Sequence, residues 1–355
     1  MESFERILYR VAMLYYKEDL TQNQISKKLN ISRSQISRYL SEAKRRNIVK
    51  IDITAPSFTF EELERLIEKI YLINQTIIVP TSESIKEIYK YIGAELTDLL
   101  KRIVKQNDYI AIGWGETLYN SLLNTNYIGE LDTKVLPLIG GLGIVESAVN
   151  TNNFAKIFAE KTGGENYLIH ASAVYDTKRN RDIVKNESHM KILLEEYNKL
   201  VLALVGISDL SIKSTFSKAV GLKQVDIDNL RNKKIVGEIN GLFINSDGEH
   251  IDNEMNDRIL SISFESLKSI NNVIAIAFGK NKVKAISSAL KSRAINMFIT
   301  DHETAEALTK LKELWGMIPL AIGYDPNALD LKNEVCKELK DLRFRYKDYG
   351  GDDPI

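Results

Sequence analysis

Apolar residues recur along this chain in two rhythms, and the change from one to the other divides it. In the first fifty residues the spacing is helical. Phe4, Ile7, Leu8, Val11, Leu14 and Tyr15 share one helix face, Ile25 and Leu29 a second, and Ile36, Leu40 and Ala43 a third. The second and third helices open with the same phrase, a hydroxyl residue followed three positions later by Gln: Thr21 with Gln24, then Ser32 with Gln35. That spacing is a capping box, in which each side chain satisfies a backbone N–H that the helix start leaves orphaned. Asn30 and Ile31 form the turn between them. Asn47 suits the left-handed conformation that ends a helix, and Val49, Ile51 and Ile53 then alternate with Lys50 and Asp52 as a strand. Three short helices around one small core, followed by a strand, outline a winged helix-turn-helix over residues 1–55.

Pro56 and a Ser/Thr cluster interrupt the pattern near 53–63, before a helix with Leu63, Leu66, Ile67 and Ile70 on one face. The rhythm then changes. Short apolar runs recur at 76–79, 109–112, 134–139, 167–169, 201–207, 241–244, 273–278 and 297–299, most of them followed by a Gly or turn residue and a helical stretch. Such alternation predicts βα units, a largely parallel sheet and an α/β, Rossmann-like body. Ligands in such folds bind beyond the carboxyl ends of the strands.

Charge sharpens the division. Residues 1–55 carry 11 Lys and Arg against 6 Asp and Glu, the rest 37 against 42, so the overall net of zero hides a basic head on an acidic body. This is the balance expected when only the head touches nucleic acid. Setting Ile36, Leu40 and Ala43 inward turns Ser34, Ser37, Arg38, Ser41 and Arg45 outward, with Arg33 on the flank. Small Ser side chains let a helix approach the major-groove floor, and an Arg fork matches the O6 and N7 edge of guanine. Arg33, Ser34, Ser37 and Arg38 are the candidate base readers; Lys44, Arg45 and, from the preceding helix, Gln22 are candidate phosphate contacts. No apolar run approaches the roughly 20 residues that span a bilayer, and the acidic start MESFERILYR has no signal-peptide pattern, so a cytoplasmic protein without membrane contact is expected. The lone Cys336 excludes an internal disulfide, and His170, His189, His250 and His302 have no metal-ligand spacing. No metal and no cofactor are expected.

Three loops after strands carry the candidate chemistry. They are Gly113-Trp114-Gly115-Glu116-Thr117, Gly140-Gly141-Leu142-Gly143 and Gly279-Lys280-Asn281-Lys282. Glycines let backbone N–H groups approach a ligand, and a helix N-terminus adds about half a positive charge. An anion, most simply a phosphate, fits there, with the Thr117 hydroxyl and the Lys282 charge as partners. Each loop also has a plain conformational explanation, since strand-to-helix junctions need Gly. Asp301 reads most simply as an N-cap, and with Thr304 it lies at the same sheet edge, where both are candidate contacts to a ligand hydroxyl.

In order and spacing, LTQNQISKKLNISRSQISRYLSEAKRRNIVKIDI, GWGETL, PLIGG, GEINGLFINSDG, AIAFGKNKVKAISSAL and NMFITDHETA resemble the sorbitol-operon regulator (SorC) family over about residues 8–312. The resemblance implies a transcriptional regulator whose effector domain, over 56–315, is related to sugar-phosphate isomerases and glucosamine-phosphate deaminases, and which assembles as a homodimer or homotetramer. It places the phosphate loop at Gly113, Gly115 and Thr117, a second glycine loop at Gly140 and Gly141, and the family's Lys at Lys282. Gly140, Gly141, Asn245 and Asp301 are then expected around the sugar. Four departures stand out: Asn245 where Asp is usual, Phe278-Gly279 where Gly-Gly is usual, Gly206-Ile207-Ser208 where Gly-Ile-Gly is frequent, and an extension over 316–355. Phe278 implies a bulkier pocket wall. In the extension MIPLAIGYD resembles a strand and ALDLKNEVCKELKDLRFRY a helix. The expectation is a non-enzymatic repressor of a carbohydrate catabolic operon, bound to double-stranded operator DNA and released by a phosphorylated sugar or related metabolite. The alternatives are an isomerase-like enzyme, which would need acidic residues and a His poised at the strand ends, and a DNA-binding regulator with a vestigial pocket.

Overall fold

The computed structural model describes residues 2–49, 60–141 and 150–311. Contacts divide the chain between Thr59 and Phe60. The first unit contains α1 (Glu2–Tyr16), α2 (Gln22–Leu29) and α3 (Arg33–Arg45). At Thr21 the capping box is complete: Gln24 N–H donates to the Thr21 hydroxyl and the Gln24 side-chain oxygen accepts from Thr21 N–H at 2.9 Å. At Ser32 only half of it forms, because the Gln35 amide donates to Tyr39 Oη at 2.9 Å instead of turning back. Asn30 and Asn47 both sit at positive φ, 53° and 57°, and Ile48 N–H closes the end of α3 on the Ala43 carbonyl. Leu8, Val11, Leu14, Ile25, Ile36, Leu40 and Ala43 are buried as the periodicity predicts. With each large apolar side chain contributing about 1.5–3 kcal/mol on burial, the core is enough to fix the pair of helices on α1. The strand expected at Val49–Ile53 begins at the last described residue of this unit, so the wing lies outside the described residues; so do Pro56, Cys336 and the expected extension over 316–355.

Among the described residues the second unit has nine strands: β1 (Gln75–Val79), β2 (Tyr109–Ile112), β3 (Lys134–Pro137), β4 (Glu165–Asn166), β5 (Leu200–Asp209), β6 (Ile235–Ile239), β7 (Leu242–Asn245), β8 (Asn272–Ile276) and β9 (Met297–Asp301). The order β1-β9-β8-β5-β2-β3-β4 is parallel throughout. Helices cover both faces, which is why the strands read as continuous apolar runs. Leu202 and Leu204 of β5 join one buried cluster, Ala203 and Val205 the other. β6 and β7 form an antiparallel hairpin that pairs with the far end of β5 at Ile207–Asp209.

Two strands differ from expectation. The run at 167–169 is not a strand: β4 stops at Asn166, because the Asn152 side chain takes over both backbone groups of Ile169, accepting its N–H and donating to its carbonyl. β6 was not anticipated, since Gly237 and Glu238 interrupt its apolar pattern. Its signal was nevertheless present in Asn240-Gly241, a two-residue hairpin loop in which both residues have positive φ.

Candidate functional site

From β2 the chain winds outward to β3 and β4; from β5 it winds the other way to β8 and β9. The strands β2 and β5 are neighbours, so their carboxyl ends form the switch point where an open parallel sheet leaves a crevice. A cleft of about 180 Å³ lies there, lined among others by Gly115, Glu116, Thr117, Asp209, Glu238 and Lys282. Gly115 stands at φ 132°, a conformation that side chains resist, and begins the helix Glu116–Leu123 without any side-chain cap. The first-turn amides of that helix are therefore open to an anion at the positive end of its dipole. Gly113 is required for space instead: a Cβ there would meet Asn240 Oδ1 at 2.6 Å. Gly206 likewise lets β5 pass beneath the Trp114 carbonyl, 2.9 Å from where a Cβ would sit.

Lys282 reaches the cleft from the opposite side. Gly279, at φ 113°, starts a single 3₁₀ turn over Lys280–Lys282, after which the helix Val283–Lys291 packs under the sheet. Burial lowers the Lys282 pKa, against the upward pull of Asp209, Glu238 and Glu116. Glu238 is the residue that sequence reasoning missed. It is 4% exposed, and burial raises its carboxyl to about 8, although Gly241 N–H at 2.6 Å and the charge of Lys282 pull it down. Burial thus favours the protonated acid on the cleft wall, a form able to donate to an oxygen-rich ligand without repelling it.

Of the expected contacts, Gly115, Thr117 and Lys282 line this cleft together; Gly113, Gly140, Gly141, Asn245, Asp301 and Thr304 do not. Gly140 and Gly141 give their N–H groups to the carbonyls of Leu260 and Ala171. A Cβ on Gly140 would meet the Ser172 carbonyl at 2.5 Å, so this glycine serves close packing. The Asn245 side-chain oxygen accepts from the N–H groups of Asp247 and Glu249, which makes it the organiser of the turn after β7. Asp301 caps the helix His302–Thr309 by accepting from Thr304 N–H, and the Thr304 hydroxyl accepts Gly279 N–H at 2.7 Å. These two hold the lysine loop from behind. Phe278 is turned against Tyr89, with ring centroids 5.7 Å apart, and is absent from the cleft lining. The bulkier pocket wall expected from it is therefore not formed.

On the first unit, Ser32, Arg33, Ser34, Ser37, Arg38 and Ser41 are all exposed along α3. Arg33 and Arg38 have no ion-pair partner among the described residues, whereas Arg45 is held by both oxygens of Glu42, at 2.7 and 2.8 Å. The Arg45 and Arg46 guanidiniums pull the Glu42 carboxyl down to about 2. Lys44 lies over the Tyr16 ring, 5.9 Å from its centroid, and Gln22 is half-buried in the first turn of α2.

The Sugar-bind family of sugar-binding domains matches residues 56–310. The chain belongs to this family. Sequence similarity runs on beyond that span: the sorbitol operon regulator of Klebsiella pneumoniae is 28% identical over 311 residues, covering 86% of this chain and 98% of the relative. The deoxyribonucleoside regulator of Bacillus subtilis is 27% identical over 310 residues, covering 86% and 97%. The crystal structure of the full-length Klebsiella SorC matches with a TM-score of 0.68 over 86% of this chain and 98% of that one. The resemblance to the SorC regulators therefore holds, for the sequence and for the mixed α/β fold with its parallel sheet. In this member of the Sugar-bind family a helix that starts at a glycine and a lysine line one cleft. Ile207 and Ser208 both line that cleft, so the departure from Gly-Ile-Gly falls on the cleft wall. Among the described residues no helix is long and apolar enough to cross a membrane, and no cluster of acidic, His or Cys side chains is arranged to hold a metal.

Proposed function

We propose that this chain is a transcriptional regulator that binds double-stranded operator DNA through α3, with the 1–55 segment acting as a winged helix-turn-helix, and is released by a small phosphorylated sugar bound in the body. A repressor of a carbohydrate catabolic operon is the role that fits release by a metabolite. The observation that carries the reading is the convergence of two cationic features on one cleft at the β2/β5 switch point: the uncapped helix start at Gly115–Thr117 and the Lys282 ammonium. The regulatory names of its relatives support it, and so does the exposed Ser and Arg face of α3.

Lys282 supplies a charge-assisted contact of about 1.5–3 kcal/mol, so Lys282→Ala is expected to weaken phosphosugar binding roughly ten- to hundredfold while leaving the fold intact. A thermal-shift panel of phosphorylated sugars beside their unphosphorylated counterparts, run on wild type and Lys282→Ala, measures this. Equal stabilisation by the free sugar, or an unchanged response of the variant, would show that the loops are only tight turns. A buried acid with raised pKa beside a lysine with lowered pKa also favours a second reading, isomerase-like proton transfer. Among the described residues no His lines the cleft, and incubation with pentose and hexose phosphates is expected to give no turnover.

A further inference from the structure

We infer that Glu42 on α3 is a positioning residue that sets how strongly the protein holds DNA of any sequence, because its carboxylate occupies the Arg45 guanidinium that would otherwise meet a phosphate. The inference rests on α3 being the DNA-binding helix. At the end of α3 two arginines share one acid, and they differ in every other respect. Arg46 is held three ways: its Nε donates to Glu42 Oε1 at 2.6 Å, its Nη1 lies 3.6 Å from Glu5, and its guanidinium stands over the Phe4 ring at 5.3 Å. That set of contacts fastens the end of α3 to the start of α1. Arg45 has Glu42 alone among the described residues, in a two-pronged pair at 2.8 and 2.7 Å, and its side chain is 73% exposed.

A guanidinium in a planar two-pronged pair with a carboxylate presents the geometry it would use on a phosphate. The Arg45 guanidinium is the open end of the pair, 73% exposed against 23% for Glu42; an ion pair that solvent reaches contributes little net stability, so a phosphate can take the guanidinium from the carboxylate. The exchange is close to neutral, one anion for another. It therefore neutralises less DNA charge, and releases fewer counterions, than contact by an unpaired arginine. Arg33 and Arg38, on the same helix, have no such competitor among the described residues. Glu42 thus lowers the sequence-independent part of binding and leaves the groove-facing arginines untouched.

The test uses the full-length protein and a fluorescein-labelled duplex of arbitrary sequence, with affinity measured by anisotropy across a salt series. Glu42→Gln is expected to tighten binding several-fold at low salt and to steepen the slope of log K against log salt by about one unit, the signature of one added phosphate contact. Asp19→Asn makes the same change in net charge on an exposed loop residue outside the cluster, at a left-handed position that Asn tolerates, and is expected to shift binding far less. In an Arg45→Ala background the Glu42→Gln effect is expected to disappear. Circular dichroism melts establish that each variant is folded, and Glu42→Asp, too short to keep both prongs on Arg45, provides an independent variant with the charge retained. An unchanged slope in Glu42→Gln, an equal gain in Asp19→Asn, or a gain that survives Arg45→Ala would overturn the inference. A wild-type protein with no salt-dependent DNA binding would instead overturn the assignment of α3.

Discussion

Glu238 shows how much of the site depends on a single side chain in an unusual state. It stands on β6 with its carboxyl facing the cleft and its Oε2 accepting Gly241 N–H, and burial raises its pKa from an ordinary carboxylate value to about 8. A group whose folded-state pKa is raised stabilises the fold fully below its unfolded pKa, near 4.5, and that contribution is lost as pH climbs through about 8. The total is on the order of a few kcal/mol, since each pKa unit corresponds to about 1.4 kcal/mol. Glu238→Gln keeps an acceptor for Gly241 and cannot ionise. Its melting temperature relative to wild type is expected to rise steadily between pH 5 and 8 and level off above that. A constant difference across the range, measured by scanning fluorimetry, would mean that Glu238 is charged in the folded protein. The residue was illegible in the sequence for a physical reason: a Glu between Gly237 and Ile239 reads as a solvated position, and only the pairing of β6 with β5 and β7 buries it. Lys282 and Thr117 were legible because they follow glycines at strand ends, where the backbone must turn. Asn245 and Asp301 also end strands, and Thr304 lies in the first turn of the helix that follows, yet their side chains are consumed by turns and caps.

At the scale of elements, the edge of the sheet is more constrained than its centre. Among the described residues β1 pairs on one side only, with β9, and its outward N–H groups at Thr76 and Ile78 are taken by Glu68 at 2.7 Å and Glu64 at 2.8 Å from the helix Glu61–Tyr71. Two carboxylates thus blunt an edge that would otherwise present a template for another strand. Glu68→Ala removes the acceptor of an edge amide and is expected to cost about 1–3 kcal/mol in urea denaturation, with concentration-dependent aggregation, whereas Glu68→Gln retains most of the stability. Equal stability of the Ala and Gln variants would show that the edge amide finds water at no cost. The helix itself was readable from Leu63, Leu66, Ile67 and Ile70, but its acids, spaced i and i+4, read as a solvated stripe. The parallel strands were readable because two buried faces demand continuous apolar runs. The β6 hairpin and the end of β4 were not, since each depends on a partner distant in sequence, β5 in one case and the Asn152 side chain in the other.

For the whole molecule, the proposed function requires that a ligand in the cleft be felt at the DNA-binding helix. The loop that carries Lys282 is fastened to the start of the helix His302–Thr309, through Thr304 to Gly279 N–H and through Glu303 to Lys280 at 3.0 Å. His302, in the same turn, stacks on Phe60 at 4.7 Å, and Phe60 is the first residue of the second unit. Any ligand that draws in the lysine loop therefore acts on the helix against which the chain enters the body. Coupling of this kind is reciprocal: the factor by which the effector weakens DNA binding is the factor by which DNA weakens effector binding. A single helix-turn-helix contacts too little of a duplex for tight operator binding, so two heads related by a two-fold axis are expected to engage half-sites separated by whole helical turns, about 10–10.5 base pairs each. Light scattering should then show a dimer or a tetramer, and inserting half a helical turn between the half-sites should weaken binding far more than inserting a full turn. If the protein stays monomeric both free and on DNA, or if the two insertions are equivalent, each head binds alone and the two-fold arrangement is wrong. Phe60→Ala provides the matching test of coupling in the assembled protein, because it leaves the cleft residues in place: effector affinity is expected to stay near that of wild type while the effector loses most of its power to release DNA. Unaltered release by the variant would show that the stack on His302 takes no part in transmission.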